Sequence, residues 1–84
     1  MSTPKLTPIV LPPLGDSTDE MRIVRWLKAE GDVVRKGDPL FEVETDKTTL
    51  QVEAYAAGML AEIRIGDDQT ARVGETVGWI EEHA

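Results

Sequence analysis

Apolar and polar residues alternate most clearly on either side of Lys47. Phe41 and Val43 alternate with Glu42 and Glu44, and beyond the lysine Leu50, Val52 and Ala54 alternate with Gln51 and Glu53. A period of two predicts two strands, each burying one face and wetting the other. The polar stretch Thr45-Asp-Lys-Thr48 between them predicts a tight turn, with Asp46 placed to bond nearby backbone. The unit is a hairpin with a lysine at its tip.

The same short-strand texture runs along the chain. Ile9-Val-Leu11, Ile23 to Leu27, Leu40 to Glu44, Thr49 to Ala54, Leu60 to Ile65 and Val77 to Ile80 read as strands. Turn signals separate them at Gly31-Asp32, Gly37-Asp38, Gly58, Gly66-Asp67 and Gly74-Glu75. One segment admits two readings. Ser17-Thr-Asp-Glu20 resembles a helix capping box, and Met21 to Glu30 with Gly31 behind it fits a helix with a glycine stop. The β-branched Ile23 and Val24 and the absence of a clean helical stripe favour a strand.

An internal echo follows. Gly37-Asp-Pro-Leu-Phe-Glu-Val-Glu44 answers Gly74-Glu-Thr-Val-Gly-Trp-Ile-Glu81 at an offset of 37 positions, which also sets Ile23 against Leu60 and Trp26 against Ile63. Gly31-Asp32 answers Gly66-Asp67 at a slightly shorter offset. Two similar halves predict an all-β fold: a flattened barrel or sandwich of two small antiparallel sheets with quasi-two-fold symmetry. A solenoid would need more repeats. The lysine hairpin falls where the halves join, and both chain ends fall at the opposite position.

With 84 residues this is one small domain. There is no cysteine, so neither disulfides nor thiolate metal ligands support the core. Sixteen acidic residues against nine basic ones give a formal charge of -7, a balance that repels phosphate backbones and anionic membranes and argues against both as partners. No apolar run has the length of a bilayer span. Catalytic means are sparse: the single histidine, His83, is penultimate, and Asp67-Asp68 after Gly66 reads as a solvated turn without calcium-loop spacing. Trp26 and Trp79 are expected in the core, and Tyr55 at a strand end or partner contact. Glu42 and Glu53 are expected on the wet face of a sheet.

Glu42-Val-Glu-Thr-Asp-Lys47, with Gly58 eleven residues on, resembles the lipoylation motif of the lipoyl domains of 2-oxo acid dehydrogenase complexes. The resemblance extends through Ile9-Val-Leu-Pro-Pro-Leu-Gly15, Ile23-Val-Arg-Trp-Leu-Lys28, Glu30-Gly-Asp32 and Lys36-Gly-Asp38, in family order. It implies a flexible segment over residues 1–7, the domain over 8–82, and the start of a linker or the C-terminal end at 83–84. It further implies lipoic acid in amide linkage to the Nζ of Lys47, with Glu44, Thr45, Asp46 and Thr48 as flanking recognition residues. The implied partners are a lipoate-attaching enzyme, a thiamin-diphosphate 2-oxo acid decarboxylase, an acyltransferase core and a flavin dihydrolipoyl dehydrogenase. The domain itself would be a monomeric carrier with no catalytic residue, and its parent chain a dihydrolipoyl acyltransferase.

A lysine ammonium is protonated and a poor nucleophile at neutral pH, so acylation is expected only inside the attaching enzyme. It would take the formal charge from -7 to -8. Met1 reads as an authentic start without a transit peptide, which points to a bacterial cytoplasm. Three alternatives remain: a biotin carrier domain, whose lysine typically lies between two methionines rather than between Asp46 and Thr48; the lipoyl-bearing H protein of glycine cleavage, which is longer; and an unmodified β interaction module. Met21 stands where family members commonly have glycine, and is expected to alter the loop before the second strand. Thr48 replaces a commoner small aliphatic residue.

Overall fold

The computed structural model describes residues 4–14 and 19–82. Eight strands form in chain order: β1 (Lys5–Val10), β2 (Glu20–Trp26), β3 (Val33–Val34), β4 (Pro39–Glu44), β5 (Thr49–Glu53), β6 (Gly58–Ile63), β7 (Thr70–Arg72) and β8 (Thr76–Glu82). They build two four-stranded antiparallel sheets, ordered β1-β8-β6-β3 and β5-β4-β2-β7. Among the described residues there is no helix. The expected all-β sandwich of two small sheets is what forms.

The sheet orders carry the predicted symmetry. Exchanging β1 with β5, β2 with β6, β3 with β7 and β4 with β8 converts one order into the other. The irregularities coincide as well: the β2–β4 register shifts between Ile23 and Arg25, and the β6–β8 register between Leu60 and Glu62, the same offset of 37. Even a side-chain cap repeats. The Trp26 N–H donates to Asp67 Oδ1 and the Ile63 N–H to Glu30 Oε2, both at 2.8 Å, so each half caps the other.

Alternation drives the burial. Ile9, Ile23, Leu40, Phe41, Val43, Leu60, Val77 and Ile80 are excluded from solvent between the sheets, each contributing ~1.5–3 kcal/mol of transfer free energy. Leu40 and Phe41 are adjacent yet both buried because the β4–β5 register slips between Pro39 and Phe41. Trp26, half-buried, packs on this core with its ring centroid 4.7 Å from that of Phe41.

Several expectations need correction. Of the two readings of Met21 to Glu30 the favoured strand is what forms over Glu20–Trp26, paired with both β4 and β7, and the helical alternative falls; Ser17 and Thr18 of the supposed capping box lie outside the described residues. Met21 lies in β2 rather than in a loop, opposite Ala71 and buried. Strand β1 opens at Lys5, inside the segment expected to be flexible, and pairs with the last residues of β8. Gly58 begins β6 instead of marking a turn; a Cβ there would run into the Glu81 carbonyl. Trp79 is half-buried on β8 outside the core cluster, its neighbours Val77 and Ile80 being the buried ones. The echo of Gly31-Asp32 is Asp68-Gln69, not Gly66-Asp67: the Asp32 carbonyl accepts from Leu60 N–H as the Gln69 carbonyl accepts from Ile23 N–H. His83 lies outside the described residues.

Candidate functional site

Strands β4 and β5 pair from Pro39 opposite Glu53 to Glu44 opposite Thr49. Four residues, Thr45 to Thr48, join them, and Asp46, Lys47 and Thr48 are all exposed. Lys47 therefore stands at the end of a hairpin whose strands are paired and anchored in the core by Leu40, Phe41, Val43 and Val52. A lysine there presents its amine on a four-methylene stem to a large partner.

Thr45 ties the turn together. Its N–H donates to the Thr48 carbonyl at 2.8 Å and its hydroxyl donates to the same oxygen at 3.0 Å. Its Oγ1 in turn accepts from the N–H groups of Lys47 and Thr48, at 3.3 and 3.2 Å. Threonine suits this work, since a short side-chain hydroxyl can bridge backbone donors and acceptors two and three residues on. The expected role of Asp46 is thus filled by Thr45, and Asp46 makes no hydrogen bond to the turn backbone.

Glu44 closes the strand pair and is engaged from the neighbouring strand. Arg22 on β2 lies opposite it and donates through Nε and Nη2 to Glu44 Oε1, both at 3.3 Å. The same guanidinium reaches Asp68 Oδ1 at 2.6 Å. These side chains are 40%, 51% and 80% exposed for Arg22, Glu44 and Asp68, so the pairs position more than they stabilise. The sequence did not point to Arg22, and Asp68 read only as part of a solvated turn. Their meeting depends on pairing between strands far apart in the chain, which leaves no local signal.

Beside the turn lies an open groove of about 370 Å³, lined by Glu20, Met21, Arg22, Glu44, Asp46 and Thr70 among others. Its walls are charged and its mouth is wide, unlike an enclosed reaction pocket. At the far end of β4, Asp38 accepts the Arg35 N–H at 2.9 Å and lies 3.5 Å from Lys28 Nζ. The backbone hydrogen bond from Arg35, assisted by Lys28, holds its carboxyl below the usual carboxylate value. That group caps a loop and faces no reacting atom. Among the described residues no cluster of histidine and carboxylate side chains is arranged to hold a metal ion, and no helix is long and apolar enough to cross a membrane.

Tyr55, 51% exposed and beyond the end of β5, donates its hydroxyl to the Pro8 carbonyl on β1. Glu53 is exposed as expected, whereas Glu42 is half-buried and takes the Arg25 Nε at 2.9 Å.

Residues 7–80 match the family described as "Biotin-requiring enzyme", the biotin/lipoyl attachment domain. The chain is 42% identical over 76 residues to the dihydrolipoyllysine-residue succinyltransferase component of the 2-oxoglutarate dehydrogenase complex of Rickettsia felis, covering 90% of this chain and 19% of that protein. It is 39% identical over 79 residues to the dihydrolipoyllysine-residue acetyltransferase component of the pyruvate dehydrogenase complex of Corynebacterium glutamicum, covering 94% of this chain and 12% of the other. The chain thus spans less than a fifth of the length of these curated relatives. Among solved structures, the lipoyl domain of the 2-oxoglutarate dehydrogenase complex from Azotobacter vinelandii superposes with a TM-score of 0.73 at 30% identity, covering 92% of this chain and 98% of that one.

Proposed function

Because the chain belongs to the biotin/lipoyl attachment-domain family, we propose that Lys47 bears a lipoyl group in amide linkage and that the domain is the mobile carrier of a 2-oxo acid dehydrogenase complex. The observation that carries this reading is the exposed Lys47 at the tip of the β4–β5 hairpin, on a turn held by its own Thr45. An amide-linked arm fits there, since Lys47 is exposed at the tip and the adjoining groove is open.

When attached, the lipoyl group supplies a redox-active disulfide ring and a thiol able to carry an acyl group. The chain's own residues hold and present; they break no bond. Lys47 contributes the Nζ that is acylated, and the paired strands keep the attachment point in place while the stem moves. Thr45 keeps the turn in one shape for a lipoate-attaching enzyme to read. Arg22 fixes Glu44 beside that turn, while Asp46 and Thr48 flank the lysine as exposed recognition groups. Tethering raises the effective concentration of the carried group at each partner site to the millimolar range.

The partners of this reading are the lipoate-attaching enzyme, a thiamin-diphosphate 2-oxo acid decarboxylase, an acyltransferase core and a flavin dihydrolipoyl dehydrogenase. The domain is non-catalytic by itself, and its parent chain is an acyltransferase component. The bacterial relatives favour a bacterial cytoplasm as its compartment.

The test is intact mass with peptide mapping after incubation with a lipoate-attaching enzyme, lipoate and ATP, beside a biotin ligase with biotin. A lipoyl increment on Lys47 alone, abolished in Lys47→Arg, is expected. A bare Lys47 beside a labelled control domain, or a biotin increment instead, overturns the reading.

A further inference from the structure

Strands β1 and β5 are the outer edges of opposite sheets and are not hydrogen-bonded to each other. Along the seam between them runs a second groove, of about 280 Å³, walled by Val10, Pro12, Leu14, Val52 and Tyr55, with the polar Gln51 and Glu53 also lining it. The Tyr55 hydroxyl donates across the seam to the Pro8 carbonyl, and Leu14 is half-buried against the core. The groove is too small for a drug-sized ligand but roomy enough for a five-membered ring.

We infer that this groove is a resting site for the disulfide ring of the arm on Lys47, an inference that rests on the lipoyl reading above. Reach permits it. Gln51 lies four residues beyond Lys47, so their Cα atoms are separated by at most ~14 Å. A lipoyl-lysine has about twelve bonds between Cα and a ring sulfur and, at the ~1.2 Å per bond of an extended chain, also spans ~14 Å. The near end of the groove is within that radius.

Chemistry selects between the two grooves. The one beside the turn is closer, but Glu20, Arg22, Glu44 and Asp46 line it, and an uncharged ring would desolvate them without repaying their lost hydration. The seam groove has a single charged side chain, Glu53, against the four of the other, and its remaining walls are mostly aliphatic, with an aromatic ring at which sulfur packs favourably. A site this small would hold free lipoamide weakly, yet a tether supplying millimolar effective concentration populates it. Resting there shields the ring from solvent and releases it easily when a partner site competes.

The experiment compares bare and fully lipoylated domain, loading being verified by intact mass. In addition to shifts at Thr45 to Thr49, the lipoylated form is expected to show NMR shifts at the Val10, Leu14 and Val52 methyls and the Tyr55 ring. Cross-relaxation between arm protons and the Leu14 methyls should accompany them. These signals should stay unchanged over roughly twentyfold dilution, as an intramolecular contact requires. Gln51→Trp, which fills the groove from an exposed position, should remove most of the groove shifts while Lys47 loads as before. Shifts confined to Thr45 to Thr49 in a loaded domain overturn the inference alone, and so does concentration dependence, which would assign the groove to a second copy. Failure of Lys47 to load defeats the lipoyl reading itself. The cross-relaxation, read on the native sequence, decides the matter even if the variant misfolds.

Discussion

Gly31 and Asp68 occupy equivalent backbone positions in the two halves of the fold. The Gly31 N–H donates to the Leu60 carbonyl and the Asp68 N–H to the Ile23 carbonyl, each at 2.7 Å, and both residues have positive φ, 95° and 65°. Asparagine and aspartate tolerate this region better than other residues with a Cβ. Gly31→Ala should therefore destabilise by about 1 kcal/mol. Asp68→Gly should stay within ~0.5 kcal/mol of the parent, because relief of the backbone offsets the lost exposed ion pair to Arg22. Urea unfolding of both variants checks this; a neutral Gly31→Ala would show that the position does not demand glycine.

Thr45 predicts a difference between two small substitutions. Thr45→Ala removes the side-chain bonds to Lys47, Thr48 and the Thr48 carbonyl and should cost about 1 kcal/mol, with slower enzymatic loading of Lys47. Thr45→Ser keeps the hydroxyl and should recover most of both losses. Chemical denaturation and a loading time course followed by mass spectrometry read the two effects separately.

Arg22 lies in a different energetic class. Its pairs with Glu44 and Asp68 are well exposed, so Arg22→Ala should lower stability by less than ~1 kcal/mol. The gap should narrow further in 1 M salt, where screening reaches ~3 Å. A loss that is large and independent of salt would mean that the stem of Arg22, rather than its charge, supports the sheet.

Asp38 governs an acid-side effect. Its carboxyl titrates below the usual value in the folded chain, chiefly because the Arg35 N–H is bonded to it. A depressed folded value gives stability that is present above the unfolded carboxylate pKa and disappears as pH falls through the folded one. Asp38→Asn should thus unfold more readily than the parent at neutral pH, and the two should converge in acid. Denaturant midpoints measured across the acid range test the convergence.

Much of this fold was legible because its strands alternate. The hairpin around Lys47, the two-sheet architecture and the 37-residue echo all rest on local periodicity, which a single chain displays. Val33–Val34 and Thr70–Arg72 are too short to show a period, and they become strands only because Met59 and Met21 offer pairing partners nearby. Met21 to Glu30 was ambiguous for a different reason: the signals at its ends suit a helix while its β-branched residues suit a strand, and pairing of residues 20–26 with β4 and β7 decided it. At the site, the lysine and its exposed flank could be read directly. The duty of Thr45 was misassigned to Asp46, since both side chains can bond a turn and only geometry distinguishes them. Arg22 joined the site through tertiary pairing alone.

Trp26 breaks the symmetry that organises everything else. Its partner Phe41 has Gly78 as its counterpart across the pseudo-dyad, and a Cβ at Gly78 would approach the Trp26 ring to 3.3 Å. A protein assembled from two copies of the first half would force a phenyl group into space the indole fills. One assembled from two copies of the second would leave that space unoccupied, with glycine facing isoleucine. If the chain descends from a duplicated ancestor, that ancestor had a different interior, and the divergence of these four positions had to proceed in concert.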